Sequence, residues 1–379
     1  MISRRRLLSA AAASPLLAGG FRAVAAEPVP PPGAARPPLK DLAAAKGILY
    51  GSCAAAPQLL SPDDFTELLV RECALVVPEN EMKWADMMGP GESSDYRLGD
   101  KMIDFVTGHG MLFRAHTMLW YWRTPGWFTE IADRGLAEKK MLERVNDMGT
   151  RYKGRVYSWD VVNEPLKPDD GRPDALRQSV FLEKVGPQYL DLAYRAARAA
   201  DPHAKLVVNE YDIEYDTPEQ DTKRLALLKL IERMKKDGTP VDAVGVQAHL
   251  SVDRLPFSAK KLRTLLADLA AFGVELQVTE LDCTDERAPA DIKERDRMVA
   301  DEYRRFLDVA LDETAVKVLV TWGVSDRHSW IVRHETNNMK WRTDAEPSRP
   351  LPFDAALQPK PAWTAIVQAL DHAPKRGAA

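Results

Sequence analysis

Two glutamates in this chain stand where chemistry is expected. The stretch Trp159-Asp160-Val161-Val162-Asn163-Glu164-Pro165 is an apolar run that ends in an amide and a carboxyl, with a proline to stop any strand just past them. Far downstream, Gln277-Val278-Thr279-Glu280-Leu281-Asp282 brings a second carboxyl in the same form. A lone Asn-Glu-Pro can close any strand, and a lone strand-end glutamate is commonly a salt-bridge partner or loop anchor. A pair has a more specific use. Cleaving a glycosidic bond needs a proton donor for the leaving oxygen and a carboxylate for the cationic sugar carbon, one on each side of the bond. Glu164 reads as the acid/base and Glu280 as the nucleophile. Gln247 and His249 lie two residues apart on one strand and so share a face, from which both are able to donate to Glu280. Asp282 is placed either to orient His249 or to cap a helix.

The elements that must position these groups alternate. From residue 47 onward, short apolar runs alternate eight times with longer amphipathic ones. The expected strands are Gly47–Cys53, Ala74–Glu79, Leu112–Trp120, Val156–Glu164, Lys205–Tyr211, Ala243–Leu250, Glu275–Asp282 and Val316–Gly323. Ser61-Pro62-Asp63-Asp64 reads as an N-cap with proline at the first helical position before Phe65–Cys73, and Thr217-Pro218-Glu219-Gln220 repeats that start before a helix through Lys236. Further helices are expected over about 99–109, 137–152, 181–200, 258–272, 293–313 and 360–370. Eight strands each followed by a helix give an α/β fold, a single (β/α)8 TIM barrel. A doubly wound open sheet would show a glycine-rich turn after its first strand, and Gly51-Ser52-Cys53-Ala54-Ala55 has one glycine there.

In such a barrel the C-terminal strand ends face the site. They carry Glu79-Asn80, His116 and Trp120, Asn163-Glu164, Asn209-Glu210-Tyr211, Gln247 and His249, Glu280 and Asp282, then Trp322. Each tryptophan also reads as packing when taken singly, including Trp330 just beyond. Together, carboxyls, amides, two histidines and indoles on one face suit a sugar.

The rest of the chain bounds the reading. Its 379 residues, 45% hydrophobic and 28% charged, fit one barrel with insertions. Residues 1–26 resemble a twin-arginine signal: Ser3-Arg4-Arg5-Arg6-Leu7-Leu8, an apolar run too short and too rich in alanine and glycine to span a bilayer, and an Ala-x-Ala-like site at Ala23-Val24-Ala25-Ala26. Export to the periplasm or the medium is expected. Cleavage removes Arg4, Arg5, Arg6 and Arg22 and no acid, taking the formal net charge from −4 to −8. That balance excludes a nucleic-acid partner, and no membrane association is expected after cleavage. Residues 27–38 form a proline-rich linker, 39–372 the catalytic barrel and 373–379 a C-terminal tail. Cys53, Cys73 and Cys283 allow at most one internal disulfide and also read as three small buried residues, and no Cys/His spacing suits a metal. No metal or organic cofactor is expected, the partner is a polysaccharide, and a monomer is expected.

At this point the residues resemble a known family, glycoside hydrolase family 10, the retaining endo-β-1,4-xylanases, from about Leu39 to Leu370. Pro78-Glu79-Asn80-Glu81-Met82-Lys83-Trp84 is similar to that family's Glu-Asn-x-Met-Lys-Trp, which implies that Glu79, Asn80 and Lys83 bind the sugar on the non-reducing side. His116-Thr117-Met118-Leu119-Trp120 is similar to its His-Thr-Leu-Val-Trp, which lines the sugar being cleaved. Asp160 to Glu164 resembles the acid/base motif, with Asn163 implied to bond the 2-hydroxyl. Val244 to His249 and Val278 to Asp282 resemble the helper and nucleophile segments. Thr321 to Asp326, Ser329-Trp330 and Pro359 to Ala362 resemble the closing tryptophan segment and last helix. Tyr211, Trp322 and Trp330 join the implied substrate-binding set. The resemblance implies cleavage of internal xylan bonds with retention; a related β-glycanase acting on glucan or decorated oligosaccharides is the alternative. A non-catalytic carbohydrate-binding barrel is the alternative of a different class, and it has no need of both carboxylates. The pattern departs from the family after Trp120, where His-x-Gln is usual and Tyr121-Trp122-Arg123 stands here. Arg123 is expected either to contact an acidic substituent such as glucuronate or to pair with a neighbouring rim acid. The loop from Ile331 to Arg349 is long and polar, and its Trp341 reads as a stacking residue for a distal sugar or as a pin for the loop.

Overall fold

The structure is a computed structural model, and it describes residues 36–332, 342, 344 and 346–377. The signal-like segment, nearly all of the linker, and Trp341 lie outside the described residues. Ten strand segments form the sheet: β1 (Leu49–Ala54), β2 (Leu75–Pro78), β3 (Leu112–Ala115), β4 (Leu119–Trp120), β5 (Ser158–Asn163), β6 (Lys205–Glu210), β7 (Ala243–Val246), β8 (His249–Ser251), β9 (Glu275–Thr284) and β10 (Val316–Thr321). All pair in parallel, and β10 pairs with both β9 and β1, so the sheet closes on itself. β3 with β4, and β7 with β8, are the two halves of single staves. The result is an eight-staved barrel with helices outside it, as the alternation of patterns requires.

The broken staves differ from the two continuous strands expected there. Around residues 116–118 the backbone leaves the ladder because Asp160 takes it up instead: Met118 N–H and the Thr117 hydroxyl both donate to the Asp160 carbonyl, at 2.9 and 2.8 Å. At Ala248 the chain adopts left-handed backbone, φ 60°, and its N–H donates to the Glu214 carboxyl at 3.0 Å. The helix expected over 181–200 is also two helices, Val180–Lys184 and Tyr189–Ala200. Gly186, at φ 96°, and Pro187 break it, since one leaves the helical region and the other lacks an N–H. Asp63 rather than Ser61 caps the helix Asp64–Glu72, accepting from Thr66 N–H at 3.0 Å, whereas Thr217 caps the helix Pro218–Lys236.

Apolar residues occupy both faces of the staves. The larger cluster lies between the barrel and the helices, with Val76, Leu206, Val208, Leu276, Val278 and Leu319 among its members. A smaller one, Cys53, Leu75, Val77, Val318, Val320 and Trp322, uses the alternate strand positions and so lies on the inner face of β1, β2 and β10. The opposite half of the interior is polar. Arg114 on β3 is fully buried and donates to Asp160 on β5 at 2.7 Å and to Gln277 on β9 at 3.1 Å. The three cysteines are buried and form no disulfide with one another. The C-terminal residues 373–377 are pinned rather than trailing: the Arg376 guanidinium donates to the carbonyls of Leu311 and Val316 at 2.7 and 3.1 Å.

Candidate active site

Both glutamates follow a local irregularity in their own strand. Between β5 and β6, Asp160 is opposite Val207 and Val162 opposite Val208, so β5 carries an extra residue just before Glu164. Between β9 and β10, Val278 is opposite Leu319 and Leu281 opposite Thr321, so β9 carries one around Glu280. Such bulges re-aim the side chains that follow. Glu164 itself holds left-handed backbone, φ 56°. Its N–H donates to the Asn209 carbonyl at 2.9 Å, and its carbonyl accepts from Arg177 Nε at 2.8 Å, so the strained conformation is fixed from both sides.

The two carboxyls have different surroundings. Glu280 Oε1 accepts from Asn209 Nδ2 at 2.7 Å and Oε2 from His249 Nε2 at 3.2 Å. His249 Nδ1 lies 2.8 Å from Asp282, whose other oxygen accepts from Trp330 Nε1 at 2.7 Å. Burial works against charge on His249, but Asp282 and Glu280 outweigh it and push its pKa up to about 10, so both ring nitrogens donate at neutral pH. Burial likewise opposes ionisation of Glu280. His249, the field of His116 and the Asn209 amide overcome it and hold the carboxyl down at about 2. Glu164 receives only neutral amides, Asn163 Nδ2 at 3.2 Å and Gln247 Nε2 at 3.1 Å, and both reach Oε1. Among the described residues no donor reaches its Oε2, which leaves that oxygen for a proton in transit.

Gln247 therefore serves Glu164, not Glu280 as its spacing from His249 suggested. The second donor to Glu280 is Asn209, at the end of β6. Its oxygen accepts from the Thr279 hydroxyl at 2.7 Å and its amide also reaches Asn163 Oδ1 at 2.9 Å, so one side chain links both catalytic arms. A Cβ at Gly245 would stand 2.2 Å from Asn209 Oδ1, and that glycine makes room for it.

The other expected residues fall around this centre unequally. His116, buried, has Nδ1 2.8 Å from Asp160, which also carries Arg114, and its ring meets Trp120 and Trp322 at 6.1 and 5.5 Å. Trp322 and Trp330 flank His249 with ring centroids at 6.5 and 5.6 Å. Lys83 Nζ lies 4.9 Å over the Trp120 ring and donates to Asn80 at 3.0 Å; burial lowers its pKa, and the field of Glu280 opposes that shift. Glu79 is buried just past β2. Tyr211 accepts from Arg177 at 2.8 Å and lies under Lys223, whose Nζ is 3.5 Å from the ring centroid. Tyr121 stacks under Arg177, guanidinium to centroid 4.1 Å. Beside His249 and Tyr211 a cavity of about 340 Å³ opens, walled by Lys167, Asp212, Tyr215, Lys223 and Arg254. Arg123 turns to Asp86, with Nε donating at 2.8 Å and Nη2 closing the fork, so the rim-acid expectation describes its geometry. Sequence reading did not single out Arg114, Asp160 or Arg177, whose partners lie on other strands and loops. For Asp160, its place at the head of the segment resembling the acid/base motif was the one signal.

Two carboxyls in such unequal surroundings at the mouth of a parallel barrel define the chain as a glycoside hydrolase. The model of Glycosyl hydrolase family 10 matches residues 38–369, and the chain belongs to that family. Endo-1,4-beta-xylanase C of Paenibacillus barcinonensis is 34% identical over an alignment of 358 residues, with 87% of this chain and 31% of that protein covered. Endo-1,4-beta-xylanase 1 of Humicola insolens is 32% identical, with 88% of this chain and 74% of that one covered. Among solved structures, native xylanase 10B from Thermotoga maritima superposes with a TM-score of 0.77 at 28% identity, covering 88% of this chain and 98% of that one. Xylanase 10B from Thermotoga petrophila, solved in complex with xylobiose, gives 0.78 at 27%, covering 88% and 97%.

Proposed function

We propose that this protein hydrolyses internal β-1,4 bonds of xylan with net retention. The observation that carries the reading is the division of labour between the carboxyls: Glu280 kept ionised by His249 and Asn209, Glu164 held by neutral amides at one oxygen, with no donor among the described residues at the other. Glu280 attacks the anomeric carbon while Glu164 gives its proton to the departing glycosidic oxygen. The bond to the leaving sugar breaks, and a glycosyl ester forms on Glu280. Water then attacks the same carbon, Glu164 takes its proton, and Glu280 leaves as carboxylate. Asn163, beside Glu164, is positioned for the 2-hydroxyl; Lys83, Asn80, Glu79, His116 and Trp120 wall the non-reducing side, and Tyr211 borders the cavity on the other.

Names of the relatives support the substrate class, and the retained pair supports hydrolysis. Glu280→Ala and Glu164→Ala should each lower turnover by orders of magnitude, and NMR of the first product should show the β anomer. An α first product would overturn retention. We also propose export by the twin-arginine-type leader to the periplasm or the medium, and action as a monomer. N-terminal sequencing of exported protein should begin near Glu27, and a cytoplasmic, uncleaved chain would contradict export.

A further inference from the structure

The short turn Tyr121–Arg123 follows Trp120 on the rim, and at its crest Trp122 is 67% exposed, more than any other large apolar side chain among the described residues. An indole left in water contributes little to the fold. The turn that presents it is nevertheless fastened on both sides. Arg177 covers the Tyr121 ring, Asp86 forks the Arg123 guanidinium, and the Thr124 hydroxyl donates to the Trp120 carbonyl at 2.9 Å. Aromatic rings also step outward without a gap, from buried His116 to Trp120 at 6.1 Å, Trp120 to Tyr121 at 6.2 Å, and Tyr121 to Trp122 at 6.3 Å.

We propose that Trp122 is a stacking platform for a further sugar unit of the same polysaccharide, outside the cleft that holds the scissile bond. A pyranose with equatorial hydroxyls presents apolar C–H faces, and an indole covers such a face while hydroxyls at its edge stay in water. Because Tyr121 and Arg123 already hold the turn, binding does not have to order it, and most of the contact appears as affinity. Long chains reach the platform and short ones do not. The inference rests on the xylanase reading above and adds a subsite to it.

The test compares wild type, Trp122→Ala and Trp122→Phe on xylohexaose and xylotriose. The ratio of kcat/KM on the longer to the shorter substrate should fall about tenfold in Trp122→Ala, chiefly through KM, and recover in part in Trp122→Phe. An unchanged ratio, or an equal loss on both substrates, would overturn the platform. Circular dichroism melting of each variant checks the fold, which an exposed side chain should leave intact. If the wild type cut neither oligosaccharide, the xylanase reading would fail and the platform with it, an outcome distinct from an unchanged ratio in an active enzyme.

Discussion

Around Glu280 the donors are a charged histidine and an amide, one on each oxygen, and behind the histidine stand Asp282 and Trp330. Around Glu164 both donors are neutral amides and both meet the same oxygen. One carboxyl is locked into its ionised state, whereas the other is steered without being charged from outside. Two glutamates from similar sequence contexts thus receive opposite tasks from what packs against them, which is how one site runs acid and base chemistry together. The two regions meet at Asn209, and both lean on the buried Arg114–Asp160–His116 group beneath.

The comparison can be broken at several depths. The largest effect is expected beneath the site. Asp160→Ala leaves Arg114 buried without its carboxylate, and urea unfolding should show a loss of about 3–5 kcal/mol, with His116 unheld and activity falling too. Asn209→Ala removes a donor from Glu280 and the support of Asn163 at once, so kcat should fall about 10²-fold, with a loss of stability of about 1–3 kcal/mol from the buried partners it leaves. If it harmed KM alone, Asn209 would not link the arms.

His249→Gln tests the asymmetry through pH. Without the imidazolium Glu280 ionises less readily, so the acid limb of kcat/KM should move up by about one pH unit or more. Stability gives a second reading. Glu280 is lowered from 4.5 to about 2, so its contribution is present above 4.5 and lost as pH falls toward 2. His249 is raised from 6.5 to about 10, so its contribution is full below 6.5 and lost as pH rises through 10. The stability difference between wild type and His249→Gln should therefore be greatest between pH 4.5 and 6.5 and shrink on both sides. By contrast, Gln247→Leu, beside Glu164, should leave the acid limb in place.

The smallest effect is expected at the rim. Arg123 is already paired with Asp86 and partly exposed, so Arg123→Gln should cost under about 1 kcal/mol and leave the ratio of activities on glucuronate-bearing and plain xylan unchanged. A drop in that ratio would show that the guanidinium leaves Asp86 for the substrate.

Much of this was legible in the sequence. Short apolar runs separated by amphipathic ones give the eight staves, and a strand-end carboxyl stands out because nothing apolar explains it. What was hidden depends on contacts between strands. The bulges before Glu164 and at Glu280 do not alter local composition, yet they decide where those side chains point. Spacing alone assigned Gln247 to Glu280, because residues two apart share a face only while the strand is regular; the turn at Ala248 separates Gln247 from His249 and sends it to Glu164. Asp160 stood in the segment resembling the acid/base motif without a task of its own. Its task appears only when β3 brings Arg114 and His116 beside it.

The central claim is that Glu280 bonds to sugar while Glu164 moves the proton. A slow 2-fluoro xylobioside with a good leaving group should accumulate the glycosyl-enzyme, and mass spectrometry of its peptides measures where the sugar sits. The account predicts one added glycosyl group on the peptide carrying Glu280, absent in Glu280→Ala. An adduct on Glu164, or turnover with no adduct at all, would contradict it.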